Sequence, residues 1–163
     1  MFYVVILSKY LLGLTLIICA IITVMSYKSW FQSHGKKHSK IVNKLSHLSD
    51  SEIIEYFRFE NMVKNEPNFC PLYPKNQKCH DIEDLNCYLC ACPNFRFDDN
   101  GFEKIQNQTL FSYCNINSKY GKPFETKDAI HQNCSDCLIP HHKSYIKKNF
   151  SRDWFEIMKN VTD

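Results

Sequence analysis

Apolar side chains crowd the first two dozen positions and then fall into a sparser, periodic pattern. Phe2 to Met25 is almost wholly apolar, interrupted by Lys9 and a few small polar residues. At helical rise the run is about 36 Å long, against a hydrocarbon core of about 30 Å. The pattern predicts an N-terminal transmembrane helix, with Lys9 reaching the interface from near its end. Basic residues follow the run at Lys28, Lys36, Lys37, Lys40 and Lys44. By the positive-inside rule they keep the C-terminal bulk in the cytoplasm, anchored at the inner membrane. Two other readings stand beside this one. Met25 could be the true start, which makes the chain cytoplasmic, or the run could be a secretory signal, although no small-x-small cleavage context follows it.

Ser33 to Lys40 reads as a polar, basic linker, and His34, His38 and His47 as solvated. Apolar spacing resumes at Ile41, Val42, Leu45 and Leu48, one face of a helix. Ser49-Asp50-Ser51-Glu52 is a capping box, a serine followed three residues later by glutamate. It opens a helix from Ser51 to about Lys64, with Ile53, Tyr56, Phe57, Met62 and Val63 on its apolar face. Pro67, Pro71, Pro74 and Pro93 then forbid long regular elements. Phe95-Arg96-Phe97 and Leu110-Phe111-Ser112-Tyr113 alternate like strands, with turn residues at Asp99-Asn100-Gly101, and predict a hairpin. Pro140 suits the first turn of a helix over His141 to Phe150. Ser151 caps a last short helix bearing Trp154, Ile157, Met158 and Val161 on one side. The organisation expected is an anchor over 1–26, a linker and helical pair over 27–66, a cysteine-rich domain over 67–150 and a terminal helix over 151–163.

Composition changes this picture at one point. The net charge of +3 and the 23% of charged residues are ordinary and make no case for nucleic acid. Nine cysteines in 163 residues are not ordinary, and eight fall between Cys70 and Cys137. A local crowd of thiols calls for disulfides in an oxidising compartment or metal ligation in a reducing one. Cys87-Tyr-Leu-Cys90 and Cys134-Ser-Asp-Cys137 are both C-x2-C pairs, a spacing that aims two thiolates at one ion with Zn–S bonds of about 2.3 Å. His141 follows Cys137 by one helical turn. Cys92 adds a thiol two residues after Cys90.

The candidate ligands are Cys70, Cys79, His80, Cys87, Cys90, Cys92, Cys134, Cys137 and His141, enough for two tetrahedral sites with one donor to spare. Cys114 reads as a core or surface thiol, His131 as an occasional ligand at most, and His142 as an exposed neighbour of His141. Histidine among the thiolates favours zinc, two ions of it, and the spacings of the common ferredoxins are absent. An iron–sulfur cluster is the alternative.

Four segments carry a resemblance: Phe69-Cys70-Pro71-Leu72-Tyr73-Pro74 with Cys79-His80, Asn86-Cys87-Tyr88-Leu89-Cys90-Ala91-Cys92-Pro93, and Cys134-Ser135-Asp136-Cys137-Leu138-Ile139-Pro140-His141. Together they resemble the prokaryotic cysteine-rich small domain family, a zinc-finger-like group of probable metal-binding proteins. The gap from Cys70 to Cys79 is longer here than in that pattern. The resemblance implies metal binding over about 56–150 and names no reaction.

The expected fold is a small, loop-rich, metal-stapled α+β domain with flanking helices and an N-terminal transmembrane helix. No P-loop, G-x-G-x-x-G or G-x-S-x-G is present, and no catalytic set emerges. The leading function is an interaction or accessory module that binds metal and meets an unidentified protein partner. The alternatives are an iron–sulfur or thiol redox and sulfur-transfer factor, and a nucleic-acid binder using Lys143, Lys147 and Lys148.

Overall fold

A computed structural model describes residues 26–162. Its first element is α1, Tyr27–Lys44. Phe31, His34, Gly35, His38, Ile41 and Val42 are buried along one side of it, the i, i+3, i+4 spacing of a packed helix face. Ser26 caps its start through its side chain. A second cap comes from far along the chain, where the Asp99 carboxylate accepts from the backbone N–H groups of Tyr27 and Lys28 at 3.1 and 3.2 Å. Two orphan donors and the positive helix end are satisfied together.

The capping box at Ser49 and Glu52 opens α2, Asp50–Tyr56. The helix stops at Phe57, and α3 restarts over Phe59–Asn65. The break has a long-range cause. The Phe57 carbonyl accepts from the N–H of Cys87, and the Phe59 N–H donates to the Leu85 carbonyl. Backbone spent on that pairing cannot continue one helix from Ser51 to Lys64.

Beyond a 3₁₀ turn at Tyr73–Lys75 come six short strands. β1 (Phe95–Phe97) pairs antiparallel with β4 (Ser112–Cys114). β2 (Glu103–Ile105), β3 (Gln108–Leu110), β5 (Lys122–Glu125) and β6 (Ala129–Asn133) form a second sheet in the order β2-β3-β6-β5. The expected hairpin is therefore interrupted: β2 and β3 fold out between β1 and β4 as a hairpin of their own. A 3₁₀ turn at Ile139–His141 holds Pro140, and α4 begins after it, at Lys143–Lys148. The last helix, α5, spans Trp154–Ile157 and is capped by Asp153, whose carboxylate accepts from Phe155 and Glu156 N–H groups.

The core joins α1, α2, α3, the Leu85–Leu89 segment, α4 and α5. Trp154, Tyr88, Phe57, Ile53, Met62, Leu85, Leu89 and Ile146 are among its fully buried members. Gly35 lets α1 approach α5. A Cβ there would stand 2.4 Å from the Phe155 ring and 2.7 Å from that of Trp154.

Three expectations are corrected. Among the described residues no helix is long and apolar enough to cross a membrane, and residues 1–25, where that helix was expected, lie outside the described residues. The helices are also not flanks of a domain that lacks an interior. They and the Leu85–Leu89 segment build an aromatic core, and the small sheets sit beside it. Finally, 33–40 is no linker. It is the middle of α1, and His34 and His38 are buried at 4% and 0% exposure. His34 lies 4.5 Å from the Phe69 ring and 5.0 Å from that of Trp30; His38 lies 4.7 Å from Phe57. The His38 Nε2–H donates to the Tyr88 carbonyl at 3.1 Å.

Candidate metal centre

The Cys87–Cys90 turn shows how the fold aims the donors. Tyr88 and Leu89, the two residues between the thiols, are both 0% exposed and belong to the core. The Tyr88 hydroxyl donates to the Ser151 carbonyl at 2.8 Å. The turn closes through the Cys90 N–H on the Cys87 carbonyl. Core burial of the middle pair thus fixes both flanking cysteines. Ala91 and Cys92 then take positive φ, 83° and 54°, unusual for residues with side chains. They swing the chain so that Cys92 opens a different direction from Cys90.

Cys79, His80 and His141 converge most closely. One donor atom of each lies within 4.8 Å of the others, and the two imidazoles stand 4.5 Å apart between ring centres. Both rings are oriented by backbone carbonyls. His141 Nδ1 lies 2.9 Å from the Asn86 carbonyl oxygen, and His80 Nε2 lies 3.2 Å from that of Cys134. Carbonyls only accept, so those nitrogens carry the protons. The opposite nitrogens, His141 Nε2 and His80 Nδ1, keep their lone pairs. His80 Nδ1 faces the Cys79 sulfur at 3.2 Å. This is the arrangement in which a metal-bound histidine gives its other N–H to a carbonyl. Tetrahedral zinc, with bonds of about 2.0–2.3 Å, places its donors about 3.3–3.8 Å apart. The triplet needs only a small closure to fit.

Asn86 is the anchor beneath His141. It is 2% exposed; its amide donates to the Ile54 carbonyl at 2.6 Å and accepts from the Tyr88 N–H at 2.9 Å. Burial, its dominant influence, lowers the His141 pKa to about 4. The ring is neutral at physiological pH, as a ligand must be.

The thiols fall into two neighbourhoods. Cys90 feels Cys87, Cys79 and Cys70, and Cys87 feels Cys79 and Cys70. Cys134 feels Cys92, Cys137 and Cys114, and Cys92 feels Cys137 and Cys114. Burial first, and these neighbours second, push the thiols up: Cys134 to about 12, Cys92 to about 11, and Cys90 well above its ordinary range. In Cys87, pushed up by burial to about 12, the Tyr73 hydroxyl works the other way. That hydroxyl is buried without a formed hydrogen bond, poised beside a sulfur that would accept one as a thiolate. None of the eight described cysteines is in a disulfide.

A cavity of about 330 Å³ opens between the two neighbourhoods, with Cys79, His80, Cys90 and His141 on its wall beside Cys92, Cys114, Cys134 and Cys137. Tyr27 and Trp30, from the first turn of α1, also line it, so the helical core borders the donors directly. Cys70 and Cys87 are set back from this cavity, by Tyr73. His131 is half-buried in β6, stacked on Phe111 at 5.2 Å, and is not in the converged triplet. His142 is exposed. Cys114 is the donor that sequence reasoning set aside and the structure brings to the cavity. Its nearest donor in sequence is 20 or more positions away, so only strand pairing reveals its company.

Compared with known protein families, characterised proteins and solved structures, the chain matches none.

Proposed function

We propose that this chain is a zinc-binding protein in which the ion holds the loop-rich segment in shape. The observation that carries this reading is the convergence of Cys79, His80 and His141 within 4.8 Å, with the two imidazoles held by carbonyls at 2.9 and 3.2 Å. Two nitrogens and a sulfur suit zinc, which accepts mixed imidazole and thiolate donors. Cys90 supplies the fourth ligand. Its thiol lines the same cavity and lies within electrostatic reach of Cys79, outside the 4.8 Å triplet itself, so it closes on the ion as the ion binds. Four protein ligands close the coordination shell, so the ion is structural and offers no open position for catalysis.

The thiol chemistry supports a cation over free redox cysteines. Reactive thiols have depressed pKa values, whereas those of Cys79, Cys87, Cys90, Cys92 and Cys134 are raised by burial. A dication in their midst reverses that and deprotonates them on binding. With its loops fixed in this way, the chain presents a rigid surface to a protein partner.

The test is the metal content of the full chain purified without oxygen. Zinc in the wild type and its loss from the site in His141→Ala support the reading. Wild-type protein that contains no metal and resists zinc loading overturns it.

A further inference from the structure

We infer that Cys92, Cys114, Cys134 and Cys137 form a second metal site, an all-thiolate tetrahedral position for a soft divalent cation, zinc first among them. The inference rests on the reading of this chain as a metal-binding protein and assigns Cys114 a role the sequence pattern did not.

Three separate stretches of chain bring these sulfurs to one wall. Cys92 leaves the Cys87–Cys90 turn through two left-handed residues, Ala91 and Cys92, which turn it away from the first set of donors. β1 begins three residues later, and its first residue, Phe95, stands opposite Cys114 in the β1–β4 register. The Asn115 N–H donates to the Asn94 carbonyl at 2.8 Å, extending that pairing and tying the Cys114 end of β4 to the Cys92 loop. Cys134 follows β6 directly and is linked to Cys137 by a tight turn, with the Cys137 N–H 3.0 Å from the Cys134 carbonyl. Ser118, four residues past Cys114, has its hydroxyl 3.6 Å from the Cys137 sulfur. The loop after β4 therefore closes on the second C-x2-C turn.

All four cysteines line the same cavity, and Cys92 and Cys134 each lie within electrostatic reach of Cys114 and Cys137. Cys137 is buried at 8% exposure and the other three are half-buried. Four soft donors with no imidazole among them suit zinc or another thiophilic dication and disfavour magnesium or calcium. The two sites would then differ chemically: mixed sulfur and nitrogen at one, sulfur alone at the other. The His80 ring joins them, since its Nδ1 faces Cys79 while its Nε2–H donates to the carbonyl of Cys134.

The experiment counts zinc by plasma mass spectrometry in anaerobically purified full-length protein. It compares the wild type with Cys114→Ser and His141→Ala, and records the absorption of the cobalt-substituted forms. Two ions per chain are expected in the wild type and one in Cys114→Ser. The all-thiolate charge-transfer component disappears from the cobalt form of Cys114→Ser and persists in His141→Ala. If Cys114→Ser fails to fold, the wild-type count and the His141→Ala spectrum still decide. One ion per wild-type chain, with no all-thiolate component in His141→Ala, overturns the second site and leaves the first standing. An unchanged two-ion count in Cys114→Ser overturns the ligand role of Cys114. A wild-type chain with no ion overturns both sites.

Discussion

His141 Nδ1 and the backbone oxygen of Asn86, 2.9 Å apart, join the candidate metal centre to the helical core. Through the same residue, the Asn86 side chain holds the end of α2 at Ile54 and the Tyr88 N–H. Asn86→Ala leaves the Ile54 carbonyl and the Tyr88 N–H unsatisfied in a dry environment, a cost on the order of 1–3 kcal/mol. It also frees the carbonyl that orients His141. Zinc affinity should fall by about 10–100-fold, as for other losses of outer-sphere support. Competition with a chromophoric chelator measures the affinity, and urea unfolding measures the stability.

Removing the metal should affect the two halves of the molecule unequally. The core from α1 to α3 and α4 to α5 has apolar burial of its own, whereas the segments around 76–81 and 114–137 contain few core residues. Hydrogen exchange after chelation should show protection lost over those segments and largely kept in α1. Uniform loss along the whole chain would mean that the ions hold up the helical core as well.

Acid should weaken the fold through the histidines of α1. Burial lowers the pKa of His34 to about 4 and of His38 to about 3, against an ordinary value of 6.5. A lowered folded-state pKa means that the unfolded chain binds more protons below about pH 6.5. Stability is therefore level above that pH and declines as the pH falls toward 4 and then 3. Each histidine contributes about 1.4 kcal/mol per pH unit inside its window. His38→Gln keeps a donor for the Tyr88 carbonyl and removes one titrating group. Relative to wild type, its urea stability should fall less steeply between pH 6.5 and 4.5 by about that amount.

At Gly35, added volume meets aromatic rings. The nearest atoms to a new Cβ belong to Phe155 and Trp154, at 2.4 and 2.7 Å. Trp154 is fully buried and yields only by disturbing the core around it. Gly35→Ala gains helix propensity of about 1 kcal/mol and still lowers stability overall, because overpacking costs about 1–3 kcal/mol and both rings must shift. A thermal melt of the variant checks the sign.

Asp99 offers a milder test of how the sheet region is tied to the helices. Its carboxylate caps α1 from the loop after β1. Asp99→Ala should cost about 1 kcal/mol and raise hydrogen exchange in the first turn of α1, where Tyr27 and Trp30 line the cavity.

The sequence was informative where chemistry is local. The Ser49–Glu52 capping box forms with both of its reciprocal hydrogen bonds, since it depends on four adjacent residues. The two C-x2-C turns are likewise short-range features. Features with distant causes were not legible. The helix break at Phe57 exists because Leu85 and Cys87 pair with the backbone there. Cys114 gains its neighbours only once β4 lies against β1. The buried stripe of α1 was hidden for another reason: three of its members, His34, Gly35 and His38, are not letters that an apolar periodicity counts. A histidine ring with one nitrogen satisfied packs among aromatics as a hydrophobe would, and the Tyr88 carbonyl that satisfies His38 lies 50 positions away.

Zinc K-edge absorption fine structure on the full chain, purified without oxygen and without added metal, reaches the donors themselves. Bound zinc is expected with a sulfur shell at about 2.3 Å and an imidazole nitrogen shell at about 2.0–2.1 Å, the nitrogen shell vanishing in His141→Ala combined with His80→Ala. A shell of oxygens alone, or zinc whose surroundings do not change when both histidines are removed, would contradict that coordination.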